Sequence, residues 1–176
     1  TWSTVLLSTG QIVAFGASPS GVLGVLSNPS QSYYTTPTII STPTLPTTET
    51  WVEVASTIYS ISLRTASNKV FSLGLNNLGG TLGGGYNTHF NNTGVQVDFG
   101  DLTGRLNIKK MASSRNSAFL GLLATVTSAS PLPSSPNSPM NETSNIRVIS
   151  WGANQAGQLG RGFASNSEAP LLTTPN

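Results

Sequence analysis

Side chains suited to catalysis or metal binding are few in this chain of 176 residues. His89 is the only histidine, and there is no cysteine. The six carboxylates form no motif: Glu49, Glu53, Asp98, Asp101, Glu142 and Glu168. Transition-metal sites and Cys-His catalysis need a second imidazole or a thiolate, and a Ser-His-Asp triad would have to use His89 without a nucleophile elbow nearby. We therefore predict no enzymatic activity, no metal and no cofactor.

Two glycine-rich runs, residues 79–85 and 157–162, are the remaining candidates for a chemical role. A phosphate-cradling loop needs its glycines to open a helix, with a lysine or an acidic partner at a set distance. Neither run meets that requirement. We interpret these glycines as corners between strands, where a positive φ or a close approach between sheets is needed.

Charge is too sparse to predict a polyanionic partner. Charged residues make up 8% of the chain, against about 25% in an average soluble domain. The eight Lys and Arg residues are scattered, and only Lys109 and Lys110 are adjacent. The longest apolar runs, such as residues 118–126, fall far short of the roughly 20 residues of a membrane helix. We expect neither a nucleic-acid partner nor a membrane span.

The polar residues of this chain are mainly hydroxyls and amides, which suit a glycosylated surface. Ser and Thr together number 47. Asn91 and Asn141 stand in valid N-glycosylation sequons, whereas the motif at Asn28 is blocked by Pro29. Both candidate sites are predicted to lie in loops, and the Thr/Ser/Pro stretches 35–50 and 127–144 suit O-linked sugars. These features favour a secreted glycoprotein with attached glycans.

An internal repeat organises the chain. Three windows carry a strand that ends in glycine, a second glycine five residues later, and a third that follows a leucine. The three glycine sets are Gly16, Gly21 and Gly24; Gly74, Gly79 and Gly83; and Gly152, Gly157 and Gly160. The spacing predicts one continuous domain of three repeats, roughly 1–50, 51–107 and 108–176, with a Pro/Ser-rich insertion at 127–145 in a hairpin tip.

Each repeat contains several short β-strand patterns and no helical periodicity. Residues 51–54 and 95–99 alternate between apolar and polar side chains, and residues 58–63 are rich in β-branched and aromatic types. The predicted fold class is all-β, with four-stranded antiparallel sheets arranged as propeller blades.

The segment from Trp151 to Gly160, with the sequence WGANQAGQLG, resembles the signature of the RCC1-like repeat, named for the regulator of chromosome condensation. The first two copies follow the same pattern less closely. The resemblance implies a β-propeller of about seven blades. It also implies the functions known in that family: guanine-nucleotide exchange, chromatin reading, or inhibition of other proteins by secreted members.

Equivalent apolar residues in the three copies are expected to form the blade cores. They are Phe15, Leu73 and Trp151 before the first glycine of each set, and Leu23, Leu82 and Leu159 before the third.

Three repeats are too few to close such a ring, so we expect the open ends to be covered. The first copy begins after most of the strand equivalent to residues 51–58, and residues 169–176 resemble the segment 36–40 that leads toward that strand. This pattern favours head-to-tail contacts between copies, through strand complementation or as a longer tandem chain, forming a ring or a fibre. Alternatively, Trp2 corresponds to Trp51, and the first blade is shorter but complete.

Two functional interpretations remain open at this stage. The first is an extracellular structural module whose partner is another copy of itself or another protein. The second is a part of a complete propeller that acts as a protein-binding regulator, with the exchange-factor, chromatin-reader or inhibitor roles that the resemblance implies. A propeller fold does not by itself choose between them.

Overall fold

The chain folds into three antiparallel β-sheets, which confirms the all-β prediction. The computed structural model describes residues 2–17, 33–57, 59–75, 82–83, 90–114, 120–126 and 146–173. The predicted insertion, residues 127–145, lies outside the described residues.

Each sheet is a meander of strands that follow one another in sequence. Blade 1 consists of β1 (Trp2–Leu6), β2 (Ile12–Ala17) and β3 (Tyr33–Ile39). Blade 2 consists of β4 (Trp51–Ser56), β5 (Ser60–Thr65), β6 (Val70–Leu75) and β7 (Phe90–Gln96). Blade 3 consists of β8 (Leu106–Ser113), β9 (Leu120–Val126), β10 (Ile146–Asn154) and β11 (Ser165–Thr173). A short 3-10 turn at Gly100–Leu102 lies between blades 2 and 3.

A break in strand pairing recurs at the first signature glycine of every blade. The register with the following strand shifts just before Gly16, Gly74 and Gly152. The φ angles of these glycines are 110°, 119° and 107°, a region that residues with a Cβ rarely adopt. At Gly74 an added Cβ would lie 2.4 Å from the carbonyl oxygen of Tyr59. Glycine is therefore required there both by backbone conformation and by space.

Strand pairing shows which strands of blade 2 the strands of blade 1 correspond to. Trp2 is opposite Gly16 in blade 1, as Ser60 is opposite Gly74 in blade 2. β1 therefore takes the place of β5, the second strand of its blade. β1 also pairs regularly, whereas the first strands β4 and β8 each contain a bulge. This register favours the second strand position over the alternative in which Trp2 corresponds to Trp51.

Candidate interaction surfaces

The blades pack face to face, and the packing has a direction. Side chains alternate between the two faces of a strand. We call the face that packs on the next blade in sequence the forward face, and the opposite one the rear face. Ile12, Ala14 and Tyr34 on the forward face of blade 1 share one apolar cluster with rear-face residues of blade 2, including Leu63 and Leu73.

The second interface repeats this arrangement. Val70, on the forward face of blade 2, lies in one cluster with rear-face residues of blade 3, including Met111, Ile149 and Trp151. Phe99, from the connection between the blades, meets Trp151 edge to face at a centroid distance of 6.0 Å. Both interfaces are thus built from the same strand positions.

A polar clamp reinforces the interface between blades 2 and 3. The Glu53 carboxylate accepts a hydrogen bond from the backbone amide of Met111, with Oε1 3.0 Å from the nitrogen. Asn68 Oδ1 accepts one from the amide of Ile108 at 3.1 Å. The two amides belong to β8, on either side of its bulge. β8 is the edge strand of its sheet, so Glu53 and Asn68 satisfy backbone donors on the edge that faces away from β9.

Charged partners hold the Glu53 carboxylate in place. Arg64 Nε lies 2.9 Å from Glu53 Oε2, and Lys110 Nζ lies 3.3 Å from Oε1. Burial raises the pKa of Glu53, but the hydrogen bonds from Met111, Arg64 and Lys110 and the charge of Arg64 outweigh it and leave the pKa below its ordinary value. The carboxylate is therefore ionised at neutral pH.

The interface between blades 1 and 2 uses different polar contacts. The positions equivalent to Arg64 and Asn68 are Leu6 and Gly10, which cannot form the clamp. Instead, Thr4 Oγ1 lies 3.4 Å from Ser56 Oγ. Ser56 also accepts, through its carbonyl, a 2.8 Å hydrogen bond from Ser113 Oγ of blade 3. Ser56 thus connects β4 to strands of both neighbouring blades.

Most of the large apolar side chains that are exposed among the described residues lie on two terminal faces. The rear face of blade 1 exposes Val5, Leu7, Tyr33 and Ile39, and the forward face of blade 3 exposes Ile146 and Val148. Val148 is 41% exposed, while its equivalent Val70 is completely buried against blade 3. At the two interfaces within the chain, the equivalent faces are covered by a neighbouring blade.

Comparison with solved structures identifies the architecture. The chain superimposes on yeast RCC1 (Prp20) in its complex with Kap60 with a TM-score of 0.64 and 14% identity, covering 99% of this chain and 35% of that one. This is an RCC1-like propeller fold.

Two further structures match at a lower TM-score. Prp20p from Saccharomyces cerevisiae matches with a TM-score of 0.53 and 21% identity, over 99% of this chain and 33% of that one. Human WBSCR16 matches with a TM-score of 0.53 and 16% identity, over 98% and 50%. The chain therefore spans between a third and a half of these proteins. No protein-family model and no curated protein sequence matches it.

The RCC1-like signature of blade 3 is held by a buried asparagine. Asn154 Oδ1 accepts a hydrogen bond from the Leu159 amide at 3.1 Å, and its Nδ2 donates to the Phe163 carbonyl at 2.9 Å. Ser150 Oγ donates to the Leu159 carbonyl at 3.0 Å. These bonds close the glycine-rich corner onto β10, so Asn154 positions the loop that the glycines allow to turn.

The signature residues of the other blades divide between core and interface. Leu73, Leu82, Trp151 and Leu159 are buried, whereas Phe15 is half-buried on the rear face of blade 1. A Cβ at Gly83 would lie 2.9 Å from Trp151 Nε1, so this corner of blade 2 packs directly on blade 3. Gly157 and Gly160 lie in the blade 3 corner with positive φ. Gly21, Leu23, Gly24 and Gly79 lie outside the described residues.

The glycosylation candidates are placed differently from the sequence-based expectation. Asn91 lies within β7, opposite Gly74, and not in a loop, because β7 continues its pairing with β6 beyond the bulge. Asn141 lies outside the described residues, as does His89. Across the described ranges, no three His, Cys, Asp or Glu residues are grouped to hold a metal ion. No helix in those ranges is long and apolar enough to cross a membrane.

Sequence reasoning missed the clamp of Glu53, Arg64 and Asn68. The only local signal is an acidic residue inside the apolar pattern of residues 51–54. Its partners are distant in sequence, because Met111 is 58 residues from Glu53.

Proposed function

We propose that the chain is a non-enzymatic structural and protein-interaction module that assembles head to tail. The forward face of blade 3 in one copy packs on the rear face of blade 1 in the next. The observation that supports this proposal is the exposure of Val148, whose equivalent in blade 2 is buried in an interface. Burying both terminal faces removes apolar surface from water, which is the main driving force of such association.

The two terminal faces are complementary by construction. At both interfaces within the chain, the forward face of one blade packs on the rear face of the next. The terminal faces are a forward face and a rear face with the same strand positions, so the contact between copies repeats this packing. The contact joins different surfaces of the two copies and is therefore heterologous. It yields a ring if the rotation closes and a fibre if it does not.

Location and modification form part of the same proposal. We place the module outside the cell, with glycans on Asn91 and Asn141. The support is the pair of sequons and a surface chemistry dominated by hydroxyls and amides. Intact-mass measurement of native material, repeated after enzymatic removal of N-glycans, is expected to show a mass loss. An unchanged mass equal to that of the bare chain contradicts this part.

Two exposed residues allow a direct test of assembly. Val148→Lys places a charge on the forward face of blade 3, and Ile39→Lys places one on the rear face of blade 1. Each variant alone is expected to stay monomeric in sedimentation velocity, because one of its two faces is blocked. An equimolar mixture is expected to form dimers, because each variant retains the face that the other needs.

Val52→Lys is the matched control, since Val52 is equally exposed but lies in the β4 bulge away from both terminal faces. It is expected to assemble like the unmodified chain. Assembly by Val148→Lys or Ile39→Lys alone, or a mixture that stays monomeric, contradicts the head-to-tail contact.

A second candidate is a protein-binding regulator in which further blades cover the terminal faces. It is favoured by the chain spanning only 33–50% of the three solved structures that it matches. One of these, Prp20p, is described with binding properties to Gsp1p and histones. An unmodified chain that stays monomeric at all concentrations, with no effect of Val148→Lys, favours this candidate over head-to-tail assembly.

A further inference from the structure

The connection between blades 1 and 2 is a polar, proline-rich segment that the proposed assembly does not use. Residues 41–50 lead from the end of blade 1 to β4 without joining either sheet, and we call this segment the strap. Pro43 and Pro46 have no amide hydrogen to donate to a strand ladder. The strap therefore stays outside the sheets.

The strap is fixed to the fold at three points. Pro43 packs on Gly94 of β7, where an added Cβ would lie 2.5 Å from Pro43 Cγ. Leu45 packs against the apolar cluster that joins blades 1 and 2. Near the end of the strap, the Glu49 carboxylate accepts hydrogen bonds from the amide and the hydroxyl of Ser67, in the turn between β5 and β6. These contacts hold the strap against blades 1 and 2.

Three threonines of the strap point their hydroxyls away from these contacts. Thr44, Thr47 and Thr48 are exposed. Thr47 and Thr48 occupy the two central positions of a turn, which is closed by a 2.9 Å hydrogen bond from the Glu49 amide to the Pro46 carbonyl. Within the described part of the chain, the three hydroxyls make no hydrogen bond. They are therefore accessible to a modifying enzyme.

We propose that Thr44, Thr47 and Thr48 are attachment sites for O-linked sugars. In the transfer, the threonine Oγ bonds to the anomeric carbon of a sugar, and the bond from that carbon to the phosphate of an activated glycosyl donor breaks. The hydroxyl proton passes to the released phosphate. This modification rests on the extracellular location proposed above, and its sites are distinct from the N-glycosylation sequons at Asn91 and Asn141.

Anchoring of the strap favours recognition by a transferase. A segment that is already held in one conformation loses less entropy when it enters a binding cleft. Leu45 and Glu49 fix the backbone on either side of the turn that carries Thr47 and Thr48. Since no neighbouring strand covers the strap, a transferase can surround the hydroxyls without breaking a sheet.

Charge favours a sugar over a phosphate at these hydroxyls. Thr48 directly precedes Glu49, and the strap contains no Lys or Arg. Lys69 Nζ lies 3.5 Å from Glu49 Oε1 and so already has an anionic partner. A phosphate would add up to about two negative charges beside Glu49, whereas a neutral sugar adds none.

Thr36 is an internal comparison from the same stretch of sequence. It is also exposed and directly precedes a proline, Pro37. It lies within β3, however, which pairs with β2 on both sides of Thr36. A transferase could enclose Thr36 only by pulling β3 away from its sheet. We therefore expect Thr36 to remain unmodified.

Site-resolved mass spectrometry of native material tests this assignment. N-glycans are first removed enzymatically, and peptides covering residues 35–50 are then sequenced by electron-transfer dissociation, which leaves O-linked sugars attached. Whole sugar units are expected on at least one of Thr44, Thr47 and Thr48, and none on Thr36. Alkaline β-elimination is expected to remove them.

Variants produced in the same cells give an independent measurement. The triple variant Thr44→Ala, Thr47→Ala and Thr48→Ala is expected to lose the O-linked mass, and the matched control Thr36→Ala is expected to keep it. An unmodified strap, sugar on Thr36 in place of the strap, or an added mass equal to phosphate overturns the O-linked sites.

The same spectra separate a failure of these sites from a failure of the proposed location. A bare strap in a chain that carries an N-glycan on Asn91 or Asn141 overturns the O-linked sites and leaves the extracellular location standing. A chain without any sugar contradicts both.

Discussion

The Glu53 carboxylate of blade 2 accepts a hydrogen bond from the Met111 amide of blade 3, with Oε1 3.0 Å from the nitrogen. This contact joins two sheets through a side chain and a backbone group. The same carboxylate is paired with Arg64, so one residue links strand β5, strand β4 and the neighbouring blade. Glu53 thus contributes both to the stability of blade 2 and to the packing of blade 3 against it.

Replacing Glu53 is expected to weaken the interface. Glu53→Ala leaves the Met111 amide and the largely buried Arg64 guanidinium without their acceptor, at a cost of about 2–4 kcal/mol in the free energy of unfolding. Urea unfolding measures the change. Lys110→Ala is the control, because Lys110 is 75% exposed and its pairing contributes less than about 1 kcal/mol. Equal effects of the two variants would show that the buried contacts do not stabilise the interface.

Stability is expected to fall in acid because two glutamates have lowered pKa values. Hydrogen bonding from Ser67 lowers the pKa of Glu49, and the contacts of Glu53 outweigh its burial. A lowered pKa stabilises the fold above the ordinary value of 4.5, and that contribution is lost as the pH falls through the folded-state value. Urea midpoints measured from neutral pH into acid should decline, and Glu53→Gln should decline less steeply. Parallel pH profiles for both proteins would contradict the role of Glu53.

Substitution at the bulge of blade 2 is expected to be costly. Gly74→Ala combines a φ of 119° with a Cβ only 2.4 Å from the Tyr59 carbonyl oxygen, so we expect a loss of about 3 kcal/mol or more. Gly104→Ala is the matched control, since its φ is 77° and its Cβ would meet no atom within 4 Å. It should cost about 1–2 kcal/mol. The unfolding temperatures of the two variants separate the effects. Gly104→Ala reports backbone strain alone, and Gly74→Ala reports strain together with a steric clash.

Removal of the buried asparagine should loosen the RCC1-like corner of blade 3. Asn154→Ala removes an acceptor for the Leu159 amide and a donor to the Phe163 carbonyl. We expect the free energy of unfolding to fall by about 2–3 kcal/mol. Amide hydrogen exchange should quicken at Leu159 more than in β4 to β6. The exposed residue Asn107 in β8 serves for comparison, and Asn107→Ala should leave exchange at the corner unchanged. Unaltered exchange in Asn154→Ala would show that the glycines alone hold the turn.

Much of the architecture could be predicted from sequence because it depends on local chemistry. Alternating side chains predict strands, and Gly16, Gly74 and Gly152 recur where a positive φ is needed, so the repeat and the RCC1-like blades are visible without coordinates. The pairing of Asn91 with the bulged strand β6 was not predicted, since a polar Asn-rich segment looks like a loop until its partner strand is known.

The tertiary structure was needed at two points. The spacing to Gly16 already favoured the second strand position for β1, and the pairing of Trp2 with Gly16 supplies the register that supports it. The Glu53 clamp needs two sheets to stack, which brings together residues 58 positions apart. By itself, the sequence determined which segments become strands and where they turn. Only packing between the blades decided which faces are covered and which remain exposed, because burial is a property of neighbours that the local pattern does not contain.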